Sequence, residues 1–112
     1  MARPLQIQII ERARSLIEDK DCWCRNHIAL DANGLSIFPT TSIAVKRCAL
    51  GALIAAAYEL THDYDSADHL AYEALRPQCG TSTLIYINDT TGHAAVLDLF
   101  DKVIAMKAGL EF

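Results

Sequence analysis

The sequence predicts a mainly α fold, a compact bundle of about four helices around a central alanine-rich helix, with a small β-hairpin and a candidate third short strand. Three observations carry this. Apolar residues recur at helical spacing near both ends of the chain. An uninterrupted apolar run, Cys48 to Tyr58, is closed off by Arg47 and Glu59. Between them, residues 21–40 break the helical period around an Asn-Gly pair. With 112 residues, 52% of them apolar, the chain is expected to form one domain spanning residues 1–112. A chain of this size buries about two-thirds of its unfolded surface, enough for a core without metal or disulfide support.

Pro4 suits the first position of a helix, where its missing N–H is no loss. Leu5, Ile9, Ala13 and Leu16 then share a face, flanked by Ile10 and Ile17, which places a first helix at about residues 4–19. Ile28–Asp31 and Leu35–Phe38 flank Ala32-Asn33-Gly34, and Asn-Gly favours the positive φ angles of a tight reversal, so a short hairpin is expected. Thr40, Thr41 and Ser42 offer N-cap hydroxyls for a second helix running to Leu60 or Thr61. Its centre is apolar on every side, as a helix surrounded by others must be. Gly51 in that centre costs about 1 kcal/mol of helix propensity, which a close backbone approach can offset.

Asp65 is expected to cap a third helix whose buried stripe is Ala67, Leu70, Ala71, Ala74 and Leu75, ended by Pro77. Thr83–Asn88 reads as extended, with β-branched and aromatic residues, and is the candidate third strand. Asn88-Asp89-Thr90-Thr91-Gly92 makes a turn and a cap. A last helix places Val96, Leu97, Phe100, Val103 and Ile104 inward, with an Asp98–Lys102 pair outside and Gly109 as its stop.

Composition excludes several classes. No apolar run reaches the roughly 20 residues a bilayer span requires, and no h-region follows Met1, so a cytoplasmic protein without membrane association is expected. Four cysteines then read as reduced thiols. The net charge of −4 disfavours nucleic acid as a partner. That charge is uneven: residues 48–101 hold eight acids against one base, while the first 47 residues hold seven bases against five acids.

Cys22, Cys24 and His27, with Cys48 and Cys79, look zinc-like only at first glance. One residue separates the first pair and a second paired knuckle is missing, so no metal is expected. The stretch from His62 to His69 lacks the glycine and terminal glutamate of a calcium loop, and helix-end chemistry explains its charges. Phosphate-binding, dinucleotide, nucleophile-elbow and zincin motifs are absent from the sequence, and no cofactor is expected. The most specific catalytic arrangement is a cysteine nucleophile, Cys24 or Cys48, with His93 as base and Asn88 or Asp89 as orienter. Cys48, read as two turns inside its helix, loses the N-terminal field that activates a thiol, which favours Cys24. Trp23, the only tryptophan, is either a partly exposed anchor or packed on the helices.

Trp23-Cys24, then Cys48-Ala-Leu-Gly-Ala, then Asn88-Asp89 before an amphipathic helix resemble a family of short bacterial and phage proteins of unknown function. The likeness runs from about Arg14 to the last helix. Ile87 stands where that family often has Trp, and the turn after Asp89 lacks its usual basic residue. The resemblance implies a single compact domain and no particular activity, and it nominates Trp23, Cys24, Cys48, Asn88 and Asp89 as positions of interest. Trp23, Asn88 and Asp89 are the candidate ligand-binding residues, the alternative for Asn88 and Asp89 being turn and cap bonds. The function expected is that of a binding or interaction module with a protein partner or self-association, and the alternative is a cysteine-dependent hydrolase or transferase.

Overall fold

A computed structural model of the chain describes residues 4–63 and 67–109. Among these residues, five α-helices and a two-stranded antiparallel pair follow in the order α1 (Leu5–Ile17), β1 (Ala29–Leu30), β2 (Lys46–Arg47), α2 (Ala49–Thr61), α3 (Ala67–Leu75), α4 (Leu84–Tyr86) and α5 (His93–Gly109). The fold is mainly α, with a radius of gyration of 13.2 Å.

The core is where the apolar spacings converge. Ile7, Ile9, Ile10, Ala13 and Ile17 of α1 are buried, as are Ala49, Ala52, Leu53, Ala56 and Ala57 of α2. Ala71 and Leu75 of α3, and Val96, Leu99, Phe100 and Val103 of α5, close the cluster. α1 contacts α2, α3 and α5, while α2 contacts α1, α3 and α4, so these two helices share the middle of the bundle. The small side chains of α2 let its neighbours come close. At about 25 cal/mol per Å2 of apolar surface removed from water, this cluster is the main source of stability.

Several boundaries differ from the sequence reading. Pro4 is the N-cap of α1, and Pro77 falls in a 3-10 turn, Arg76–Cys79, that closes α3. The cap expected at Asp65 lies outside the described residues, as does whatever follows Gly109. Leu70, expected in the buried stripe of α3, is half exposed, because the core meets that helix along Ala71 and Leu75. The Asp98–Lys102 pair forms at 3.5 Å.

The β element is rearranged more deeply. β1 pairs with β2, Ala29 opposite Arg47 and Leu30 opposite Lys46. The expected second arm touches β1 only at the Leu30–Ser36 bridge and through Ile37 N–H to the Ala29 carbonyl at 3.1 Å. The reversal is an Asp31 turn: its carboxylate accepts from Asn33 N–H and Leu35 N–H, each at 2.9 Å, and only Gly34 takes a positive φ, 81°. On the far side of β2, Trp23 forms a parallel bridge with Arg47, and Cys24 N–H donates to the Arg47 carbonyl at 3.1 Å. In spatial order, residues 35–37, β1, β2 and residues 23–24 lie side by side.

Because Lys46 and Arg47 are extended, α2 cannot start at Thr40–Ser42. It begins at Ala49, with Cys48 as its N-cap, so Cys48 is at the helix terminus and not two turns inside. Thr83–Asn88 is likewise not a strand. The Thr83 hydroxyl caps Tyr86 N–H at 3.1 Å, starting α4, which widens into a π-type turn over Ile87–Thr91 closed by Gly92 N–H on the Ile87 carbonyl at 3.1 Å.

Candidate functional site

The Trp-Cys loop, the start of α2 and the Asn-Asp turn are far apart in sequence and meet at one place. Asn88 is the centre of this junction and is buried, 1% exposed. Its side-chain oxygen accepts from Trp23 Nε1 at 2.7 Å and from Ala49 N–H at 2.9 Å. Its amide nitrogen donates to the Cys24 carbonyl at 3.1 Å and to Asp89 Oδ1 at 3.0 Å. Both lone-pair directions and both N–H bonds of the amide are therefore engaged. One side chain caps α2, fixes the indole and holds the Cys24 backbone.

The wide turn explains how Asn88 gets there. An α-helix continuing from α4 would carry an i→i−4 ladder; the extra residue in the Ile87–Thr91 turn shifts the chain so that Asn88 points into the interior. Gly92 ends the turn at φ 112° and ψ −174°, a region open to glycine. Asp89 supports the loop opposite. Its Oδ1 also accepts Asn26 N–H at 2.8 Å, holding Asn26 in the left-handed conformation, φ 69°. The Arg25 guanidinium donates to the Asp89 carbonyl at 3.3 Å and sits 5.2 Å over the Trp23 ring. Trp23 is buried and packs on the His93 ring, centroids 5.4 Å apart.

Gly51 is required by proximity. A Cβ there would stand 2.0 Å from the Ile28 carbonyl oxygen, so the first turn of α2 lies directly on the chain entering β1. Cys48 N–H donates to that same carbonyl at 3.2 Å, and the Cys48 sulfur accepts from Gly51 N–H at 3.3 Å.

Beside the junction is a cleft of about 150 Å3 lined by Asn26, His27, Ile28, Cys48, Leu50, Ile85 and Asp89. It is smaller than the roughly 300 Å3 at which small-molecule sites usually begin. A second cleft of about 190 Å3 lies between α2 and the 40–42 turn, around Arg47, Tyr58 and Glu59. Among the described residues, no three metal-ligating side chains come together.

The candidate residues Trp23, Cys24, Cys48, Asn88, Asp89 and His93 are thus neighbours. Their bonds are specific. The Cys24 thiol donates to the His27 carbonyl at 3.4 Å, and burial, with Cys48 beside it, pushes its pKa up to about 11. Burial also raises the Cys48 thiol, opposed by the Gly51 N–H. His93 directs Nε2 to the Ile17 carbonyl at 2.6 Å. Among the described residues, neither cysteine hydrogen-bonds a histidine ring. Asn26 and Ile85 were not marked by the sequence reading, because no periodicity or motif sets them apart, and His27 was considered only as a zinc ligand and set aside.

The family model for a family of unknown function, DUF6197, matches residues 1–106. The chain belongs to this family. No curated protein and no solved structure matches the chain. Membership in DUF6197 agrees with the resemblance in assigning no activity. No helix among the described residues is long and apolar enough to cross a membrane.

Proposed function

We propose that this DUF6197 chain is a binding module for an apolar protein surface, engaged through the segment from Leu35 to Val45. The observation that carries the reading is the exposure of four large apolar side chains in one short stretch: Leu35 63%, Phe38 52%, Ile43 59% and Val45 44%. An ordinary loop places polar residues there; here apolar side chains are held outward by an ordered backbone. Pro39 is fully buried and its carbonyl accepts from Arg47 Nε at 2.9 Å, anchoring the segment to β2. Thr41 Oγ1 donates to the Phe38 carbonyl at 2.9 Å, and Ala44 N–H to the Thr41 carbonyl at 3.2 Å. A pre-ordered apolar surface loses little conformational entropy on binding. Residues 35–37 also form the outer edge of the small sheet, where a partner strand can add.

The junction supports the same reading by its saturation. Every hydrogen-bonding position of the Asn88 side-chain amide is used internally, as in a structural clamp. The Cys24 thiol donates to a backbone carbonyl rather than to a histidine ring, so the Cys–His pair of a cysteine hydrolase is not assembled there.

The test compares wild type with Phe38→Lys/Ile43→Lys, both checked for fold by circular dichroism. Sedimentation velocity over a concentration series reads self-association, and cross-linking in the source cells reads a different partner. Wild type is expected to associate in one of these and the variant to weaken that association at least about tenfold. A folded variant identical to wild type in both would overturn the proposal.

A further inference from the structure

The register beside β2 places two cysteines together. Trp23 and Arg47 are bridged in a parallel pair, so the residues that follow them, Cys24 and Cys48, are also opposite one another. Successive side chains of extended chain alternate in direction, and Cys48 is extended, with φ −81° and ψ 179°. Both thiols therefore leave the face away from Trp23 and Arg47, and both are 7% exposed. Adjacent residues on paired strands have Cα atoms about 5 Å apart, inside the span a disulfide accepts. After burial, Cys48 is the largest influence raising the Cys24 pKa, as nearby thiols require. Both are free thiols in this structure.

We infer that Cys24 and Cys48 form a reversible dithiol–disulfide pair, oxidised by a small-molecule disulfide. Cys48 lines the cleft and its sulfur accepts the Gly51 N–H at the start of α2, so it is the attacking group. Its thiolate attacks one sulfur of the external disulfide RSSR, forming Cys48–S–S–R and releasing one RS−, which takes up the proton that Cys48 lost. Cys24 then attacks the Cys48 sulfur. The second RS− leaves and takes the Cys24 proton. Two cysteine thiols lose two electrons in total, and RSSR is reduced to two RSH. The new bond ties the loop at Cys24 to the start of α2 at Cys48. Asn88 still caps Ala49, so α2 keeps one of its caps.

The experiment equilibrates the folded protein with oxidised and reduced glutathione over a range of ratios, quenches with acid, alkylates the remaining thiols and maps disulfides by mass spectrometry. Reactive thiols are expected to fall from four to two, with Cys24 linked to Cys48. Lys20 and Arg25 bracket both Cys22 and Cys24 in one tryptic peptide, so the map is repeated in Cys22→Ser, which must retain the bridge. Cys24→Ser is expected to stop at a glutathione adduct on Cys48. Cys48→Ser is expected to form no internal bridge and to slow adduct formation at least tenfold. A bridge that joins any other pair, forms only in urea, or is missing at every ratio would overturn the inference.

Discussion

Two regions flank the β1–β2 pair and treat polar and apolar groups in opposite ways. On one side, the Trp23–Asn88 junction buries an amide with all its hydrogen-bonding capacity used. On the other, the segment from Leu35 to Val45 exposes large apolar side chains while its backbone is tied down at Pro39 and Thr41. A buried polar group without partners costs roughly 1–3 kcal/mol, so Asn88 persists inside only because each of its atoms is matched. An exposed apolar side chain carries no comparable penalty in the monomer, but it gains on meeting another apolar surface. The junction thus serves the fold, and the segment is the surface on which the proposed binding rests.

The comparison can be broken first at the junction's closest contact. Gly51→Ala sets a methyl group against the Ile28 carbonyl, a backbone atom that cannot rotate away, and is expected to cost about 3 kcal/mol or more by urea denaturation. Asn88→Leu is expected to cost a similar or slightly smaller amount, about 3 kcal/mol, since it strands Trp23 Nε1, Ala49 N–H and the Cys24 carbonyl. Trp23 is the single tryptophan, so its emission should shift to the red in that variant before global unfolding. An unchanged spectrum would mean that the amide does not hold the indole.

The other side of the comparison predicts a contrast. Phe38→Ser should cost less than Asn88→Leu, about 1–2 kcal/mol, because half of the ring is already exposed, yet it should weaken partner binding. Equal losses of stability in Phe38→Ser and Asn88→Leu would erase the distinction between the two regions.

The smallest effect concerns the surface. Arg12 Nε donates to Glu59 at 2.7 Å, and this bond holds the Glu59 carboxyl below its ordinary range. A depressed carboxylate pKa gives stability that is present above the unfolded value, about 4.3, and is lost as pH falls through the folded value. Both side chains are substantially exposed, so solvent screening holds the contribution to about 0.5 kcal/mol or less. The difference in urea midpoint between wild type and Glu59→Gln should therefore be small at pH 7 and vanish toward pH 3. A difference that grew on acidification would contradict the assigned sign.

How far the sequence could be read depends on the range of each interaction. Ile9, Ala13 and Ile17, or Val96, Phe100 and Val103, announce a buried face through spacing alone, and these are buried. Cys48 and Thr83–Asn88 were misplaced for one reason: their local preference is overruled by partners distant in sequence. Lys46 and Arg47 leave the helical pattern to pair with β1, which moves the start of α2 to Ala49. The β-branched run after Thr83 finds no strand to pair with and instead coils into α4 and the wide turn. The nomination of Trp23, Cys24, Cys48, Asn88 and Asp89 named the members of the junction without the bonds that join them.

The sequence by itself determined a helical bundle, one alanine-rich apolar helix within it and the places where helical order breaks, because helix periodicity and turn chemistry act over a few residues. Only the tertiary structure decided that Asn88 caps a helix 39 positions away, that Cys24 stands beside Cys48, and that Leu35, Phe38, Ile43 and Val45 remain outside the core. Those facts depend on which elements meet, and a hydrogen-bond partner or a covering surface supplied by a distant segment leaves no periodic mark on the residues it joins.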